Sequence, residues 1–170
     1  MPEPTEDSIA VLLLAGKLEG FELEAHARDL LSIPRVIALE PSRLPTPRFM
    51  RNAVGMRQAR RLAFPGRPRM LVLYHPAQYP IARALLAHDD EIELWYLPLV
   101  DQASLAESDE LREFDQLARE HASQVVAVGG GAEVPDADLR QRLVELDVIN
   151  SRVFVPVVRS RRQREPYGRR

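Results

Sequence analysis

The chain has 170 residues, 45% of them hydrophobic, a formal net charge of −2 and no cysteine. That length fits one domain, with a continuous core that buries roughly two thirds of the unfolded surface, and leaves no room for a second full domain. Disulfides, thiolate metal sites and a cysteine nucleophile are excluded, and the longest apolar run, Ile9 to Ala15, is far short of the ~20 residues of a membrane-spanning helix.

The N-terminus is acidic where a secretory signal is basic, and no small-residue cleavage site follows the first apolar run, which predicts a cytoplasmic protein. Residues 1–7, polar with two prolines, are expected to be disordered. The first strand is predicted over Ile9–Ala15, and the helix after it carries Leu23, Ala27, Leu30 and Leu31 at helical spacing. Strand two is Arg35–Glu40. The segment with Pro41, Pro45 and Pro47 is a stiff loop, because each proline lacks a donor and fixes φ. A helix over about Phe49–Ala63 is expected to turn Met50, Ala53, Val54 and Met56 inward and its arginines outward. Pro65 and Gly66 stop it.

Strand three is Met70–Tyr74, opening into His75-Pro76-Ala77-Gln78-Tyr79, and Pro80 suits the first turn of a helix over Ile81–Ala87. Strand four is Glu91–Leu97, where Trp95 and Tyr96 point to opposite faces, so at least one is core. Ser108 caps the clearest helix, which runs to His121 with Asp109 and Glu110 in its first turn and Leu111, Phe114, Leu117 and Ala118 on one face. Strand five is Gln124–Val128, ending in Gly129-Gly130-Gly131. A last helix with Leu139, Leu143 and Leu146 leads to strand six, Arg152–Val158.

Strands two, three and five are almost wholly apolar, the mark of strands covered on both faces. The reading is therefore an α/β protein: a three-layer α/β/α sandwich on a mainly parallel, six-stranded Rossmann-like sheet spanning residues 8–158. Residues 159–170 follow as a basic tail, with six arginines against Glu165. Its net charge of +5 leaves −7 for the rest of the chain. With one tyrosine and no amphipathic period, it reads as a solvated tail or linker rather than a nucleic-acid or membrane contact.

Right-handed crossovers put every strand's C-terminal loop on one edge, where such sheets bind ligands. The candidates there are Gly16 and Lys17, Glu40, His75 with Gln78 and Tyr79, Asp101, and Gly129, Gly130 and Gly131. His75 precedes a proline, which favours extended backbone and places it in the loop, as either a general acid or base or a hydrogen-bonding loop residue. Asp101 is the carboxylate nearest the crevice, or a turn-forming residue. The triglycine is either a phosphate-cradling turn or a flexible one, with Glu133, Asp136 and Asp138 opposing an anion.

No cofactor is expected, because G-x-G-x-x-G and the P-loop pattern are both missing. No metal is expected either, since His26, His88 and His121 have no ligand partner four residues on. The arginines at 51, 57, 60, 61, 67 and 69 make a local basic region, read as a solvated helix face or as a site for an anionic partner.

Taken in order, VLLLAG, PRVIALEPSRLP, PRMLVLYHPAQYPIARALL, ELWYLPLVDQAS, LREFDQLAREHASQVVAVGGG and SRVFVPVV resemble the N-terminal lobe of glycosyltransferases built from two facing Rossmann-like lobes, the GT-B type. The family's strands read "vlyveP", "lwvyhP", "lwYdcvD", "lereladrAdlvvavS" and "vhvvPnGvd". The resemblance covers residues 9–158 at pattern level. It implies an acceptor-binding lobe that takes a sugar or glycolipid acceptor, with Asp101 and His75-Pro76 at the matching loops. It also implies a second lobe or partner chain that binds the nucleotide-sugar through two glutamates eight positions apart, a spacing this chain does not contain. Gly129 stands where the family has a serine, and Pro156-Val157-Val158-Arg159 lacks the family's glycine. The sequence thus predicts a lobe inactive alone, or a stand-alone Rossmann-like binding or interaction module; a small nucleotide-dependent enzyme using the triglycine is the third reading. Open sheet edges and crevice walls predict a homo-oligomer or a partner-bound domain.

Overall fold

A computed structural model describes residues 7–14, 27–39, 64–98, 102–126 and 136–149, together with residues 50, 53, 57, 59 and 61. Five of the apolar runs are strands: β1 (Ser8–Leu13), β2 (Val36–Leu39), β3 (Arg67–Leu73), β4 (Glu93–Tyr96) and β5 (Gln124–Val125). All pair in parallel, in the order β2-β1-β3-β4-β5. The run 152–158 lies outside the described residues, as do residues 1–6 and the tail.

The two faces of the sheet are built by simple alternation. Ile9, Val11 and Leu13 of β1, Leu71 and Leu73 of β3, and Leu94 and Tyr96 of β4 share one core with α1 (Tyr79–Leu86) and α3 (Asp109–His121). The intervening residues Ala10, Leu12, Met70, Val72 and Trp95 share the other with Leu30, of helical residues 27–31, and with Leu139 and Leu143 of α4 (Asp136–Glu145). A sheet apolar on both sides needs helices on both, so the molecule is a three-layer, Rossmann-like α/β fold. Trp95 and Tyr96 are both core, one on each face.

Local signals explain the helix ends. The Ser108 hydroxyl accepts from the Leu111 amide at 3.3 Å, and Asp109 and Glu110 stand in the positive first turn of α3. A short helix, α2 (Gln102–Glu107), precedes it where the sequence offered no amphipathic period. The helix expected over 49–63 is helical at residues 53, 57, 59 and 61; of the four residues expected inward, Val54 and Met56 lie outside the described residues and the other two face outward. Met50 is 43% exposed and Ala53 is exposed, whereas Ala59 is buried against the sheet, where a methyl lets the helix approach closely. Leu31, at the last turn of its helix, also falls off the buried stripe at 38% exposure. Gly66 is where the chain must pass close to a neighbour: a Cβ there would stand 2.0 Å from the Asp7 carbonyl oxygen, which accepts from the Arg67 amide at 3.0 Å.

The N-terminal edge of the sheet is held by charge. Arg67 bonds Asp89 at 2.9 Å, Arg69 bonds Glu91 at 2.6 Å, and Arg35 bonds Asp7 at 2.9 Å. Two arginines of the basic region are thereby neutralised structurally. Arg142 of α4 forks onto Glu93 at the start of β4, with Nε to Oε2 at 2.9 Å, and its Nη1 meets Glu145 at 2.5 Å. α4 then ends in a Schellman turn. The Asp147 amide donates to the Val144 carbonyl at 3.0 Å and the Val148 amide to Leu143 at 2.9 Å, while Leu143 and Val148 pack together in the core. The reversing residue, Asp147, has φ 60°, a conformation that glycine adopts without steric cost.

Two outcomes follow. Asp147→Gly is expected to raise the unfolding free energy by about 0.5–1 kcal/mol, less than the full left-handed penalty because aspartate tolerates it partly, as read by urea denaturation. Glu93 is held below its ordinary pKa chiefly by the Arg142 hydrogen bond, against an opposing burial effect. A depressed carboxylate contributes stability that is full above the unfolded value of 4.5 and fades as pH falls through the lower folded value. Glu93→Gln is therefore expected to destabilise at neutral pH, with the difference from the parent chain closing as pH falls below that range; a pH-independent gap would contradict it.

Candidate functional site

The chain winds outward from β1 to β2, then crosses to the other side of β1 for β3, β4 and β5. Helical residues 27–31, which precede β2, and α1, which follows β3, pack on opposite faces of the sheet, so the order reverses between β1 and β3, the switch point at which sheets of this kind form a ligand-binding crevice beyond the C-terminal ends of their strands. The described wall of that crevice is the segment after β3: Tyr74, His75, the 3-10 turn Pro76–Gln78, and the start of α1.

This turn consumes its own backbone donors. His75 has φ −141° and ψ 136°, the extended backbone expected before a proline, and its Nδ1 accepts from the Ala77 amide at 3.1 Å. The Gln78 amide donates to the His75 carbonyl at 3.1 Å, and the Tyr79 amide donates to the Pro76 carbonyl. Pro76 and Pro80 have no amide proton. From residue 76 to residue 80 no backbone N–H points at a ligand, so this loop is not an anion cradle. A ring nitrogen that accepts carries no proton, so the neutral His75 ring holds its proton on Nε2.

The polar groups left open on this wall are then those of side chains. Gln78 is the one buried polar residue among the described residues, at 6% exposure. Its carboxamide makes no capping bond to α1 and has no hydrogen-bond partner in the described structure. No described side-chain nitrogen or oxygen is sealed in the interior without a partner. The Gln78 polar atoms therefore reach the surface, at the sheet edge where the crevice opens, while the rest of the side chain is packed away.

Tyr79 is placed differently from its neighbours. Its ring is 1% exposed, in the core shared with α3, 6.1 Å from the Phe114 ring and stacked on His121 at 5.9 Å. Its hydroxyl is hydrogen-bonded to His121 Nδ1, and burial pushes its pKa up. Tyr79 thus ties the end of the crevice loop to the end of α3. A second tyrosine makes a parallel tie: Tyr96 of β4 donates to Asp115 at 2.6 Å, and Arg119 pairs with Asp115 at 2.8 Å while lying 5.7 Å above the Tyr96 ring. Neither tie was visible in the sequence, because each links residues of different elements that no spacing rule connects. Gly16, Lys17, Glu40, Asp101, Gly129, Gly130 and Gly131 lie outside the described residues.

Among the described residues no group of three or more histidine, cysteine, aspartate or glutamate side chains could hold a metal ion, and no helix is long and apolar enough to cross a membrane. Compared with known proteins, the chain matches no family model, no curated protein and no solved structure.

A carboxamide without a protein partner has a stability signature. Gln78→Met, which keeps the volume and removes the unpartnered amide, is expected to be neutral or to stabilise by up to about 1 kcal/mol. His75→Ala is expected to cost about 1 kcal/mol through the lost cap, with His75→Asn recovering most of it because its carbonyl oxygen replaces Nδ1 as acceptor. Urea denaturation of the three variants checks both.

Proposed function

We propose that the chain binds a neutral, hydroxyl-rich ligand in the β1/β3 crevice, as the acceptor-binding lobe of a two-lobe glycosyltransferase whose nucleotide-sugar lobe is supplied elsewhere. The observation that carries this reading is the Gln78 carboxamide, packed in place with its polar atoms unused by the protein. A carboxamide offers two donors and an acceptor side by side, which matches neighbouring hydroxyls of a sugar. The spent backbone donors of residues 76–80 weigh against a phosphate on this wall.

In this reading His75, with its proton on Nε2, donates to an acceptor oxygen and orients it. Asp101 is then the base. The acceptor oxygen bonds to the anomeric carbon of the donor as the bond to the nucleoside diphosphate breaks, and the hydroxyl proton passes to the carboxylate. The lobe has no such activity until a donor-binding partner closes over it.

A second reading, a stand-alone ligand-binding module without catalysis, draws on α4. That helix returns across the sheet and is fastened at Glu93 and beside Arg35, which makes a self-contained unit of the described elements.

Titration of the isotope-labelled chain tests the ligand class on which the first reading rests. Simple methyl glycosides are expected to shift the Ala77 and Gln78 amide signals and the Gln78 side-chain amide. Gln78→Met is expected to weaken that binding about tenfold, the worth of one to two hydrogen bonds. Nucleotides and nucleotide-sugars alone are expected to leave these signals and the melting temperature unchanged. A nucleotide-induced rise in melting temperature would overturn the acceptor-lobe reading, since only a ligand of the folded chain raises it.

A further inference from the structure

The segment that forms the described wall of the crevice is fastened at both ends by a histidine nitrogen that accepts a hydrogen bond. At its start, Nδ1 of His75 accepts from the Ala77 amide at 3.1 Å. At its end, Nδ1 of His121 is bonded to the Tyr79 hydroxyl. Burial sets the direction of this second bond. Tyr79 is 1% exposed, and its hydroxyl has no other partner among the described residues. Were Nδ1 the donor, the phenolic proton would be left unbonded in the core. Tyr79 therefore donates, Nδ1 of His121 accepts, and the neutral ring keeps its proton on Nε2, as that of His75 does.

Both roles are lost on protonation, because an imidazolium carries a proton on each nitrogen and accepts nothing. At His75 a ring N–H would then face the Ala77 N–H. At His121 it would face the Tyr79 O–H, which can turn to accept only by leaving its own proton without a partner. His121 is exposed at the end of α3 and His75 is half-buried, so water reaches both rings. α3 packs directly on the 3-10 turn, so the two fastenings act on one short segment. Of the charged groups around them, Arg83 of α1 and Glu120 of α3 act on the Tyr79 hydroxyl. α3 also carries Asp115, bonded to Arg119 and Tyr96, and in its first half Glu110, Glu113 and the Asp109–Arg112 pair. α2 brings Glu107 at the far end of α3, and the turn itself has no charged side chain.

We propose that the wall 75–79 is a two-histidine, pH-sensitive latch, set while His75 and His121 are both neutral and loosened when either takes up a proton. Its consequence for binding rests on the reading that Gln78 contacts the ligand. Histidine changes charge between about pH 5 and 8, so the crevice holds its ligand at neutral pH and above and releases it as pH falls through that window. The ion pairs of the opposite edge do not respond there. Hydrogen bonds from Arg67 and Arg142 hold Asp89, Glu93 and Glu145 below the ordinary carboxylate range, so these groups stay charged throughout.

The isotope-labelled full chain, free of ligand, is titrated from about pH 8 to about pH 5. The Ala77, Gln78 and Tyr79 amide signals are expected to follow the ring signals of His75 and His121. The Tyr79 amide, bonded to the Pro76 carbonyl, is expected to exchange about tenfold faster at the acid end after correction for the intrinsic pH dependence. In the double variant His75→Asn, His121→Asn, carboxamide oxygens accept at the same two places without titrating, and these signals are expected to stay still; each single variant loses its own histidine's share. Tyr79→Phe keeps the ring and the charge on His121 but not the hydroxyl, and the part of the response that follows His121 is expected to vanish. Signals that still move in the double variant, or that follow His121 unchanged in Tyr79→Phe, overturn the proposal. Methyl glycoside affinity is expected to fall about tenfold across the same range in the parent chain and less than about twofold in the double variant. If the free chain responds as described but no glycoside binds at any pH, the latch stands and the ligand reading fails. If glycosides bind at Gln78 equally well at both ends of the range, the latch fails and the ligand reading stands.

Discussion

The structure depends on two adjacent strands, β1 and β3, that are apolar on both faces. Neither can be satisfied by one layer of helices, because Ile9, Val11 and Leu71 need cover on one side and Ala10, Leu12 and Met70 on the other. Once helices must lie on both sides, the parallel order and the right-handed crossovers follow, and with them the reversal of direction between β1 and β3. The crevice is a by-product of that constraint. Its place is the reversal of strand order between β1 and β3, and its described wall is the segment that follows β3.

The two edges of the sheet divide the polar residues between them. At the start of the strands, carboxylates and guanidinium groups are matched one to another: Arg67 with Asp89, Arg69 with Glu91, Arg35 with Asp7, Arg142 with Glu93. These pairs are partly exposed and individually contribute little; they stand at or beside the starts of β1, β2, β3 and β4. At the end of β3 the pattern inverts. The backbone is saturated by its own turn, while the carboxamide of Gln78, its polar atoms at the surface, goes without a protein partner.

Much of the fold could be read from the sequence, because it rests on period and capping. Five of the six predicted strands fall within a few residues of their expected positions, and Ser108 caps its helix as its spacing implies. The readings that went astray turned on neighbours. Ala53 and Met50 were expected inward from helical spacing alone, but which stripe is buried depends on how closely the helix meets the sheet, and Ala59 allows the closest approach. For the site, the sequence pointed to the segment His75–Tyr79 but could not divide its labour. Tyr79 turns into the core toward His121, Gln78 stays at the edge, and His75 caps the turn. Such assignments depend on backbone hydrogen bonds that no spacing displays.

The 3-10 turn after β3 also bears on what recognition would demand of the protein. Pro76 within it and Pro80 just after it are buried, and the amides of residues 77, 78 and 79 are bonded within the segment. A surface loop ordinarily surrenders conformational freedom when it closes on a ligand, about 1–2 kcal/mol for each backbone residue fixed. Here that freedom is given up when the domain folds. On the proposed reading, a molecule arriving at Gln78 would meet a wall already in its final shape, and its affinity and selectivity would rest on the fit of its hydroxyls to the carboxamide rather than on any closing movement of this segment.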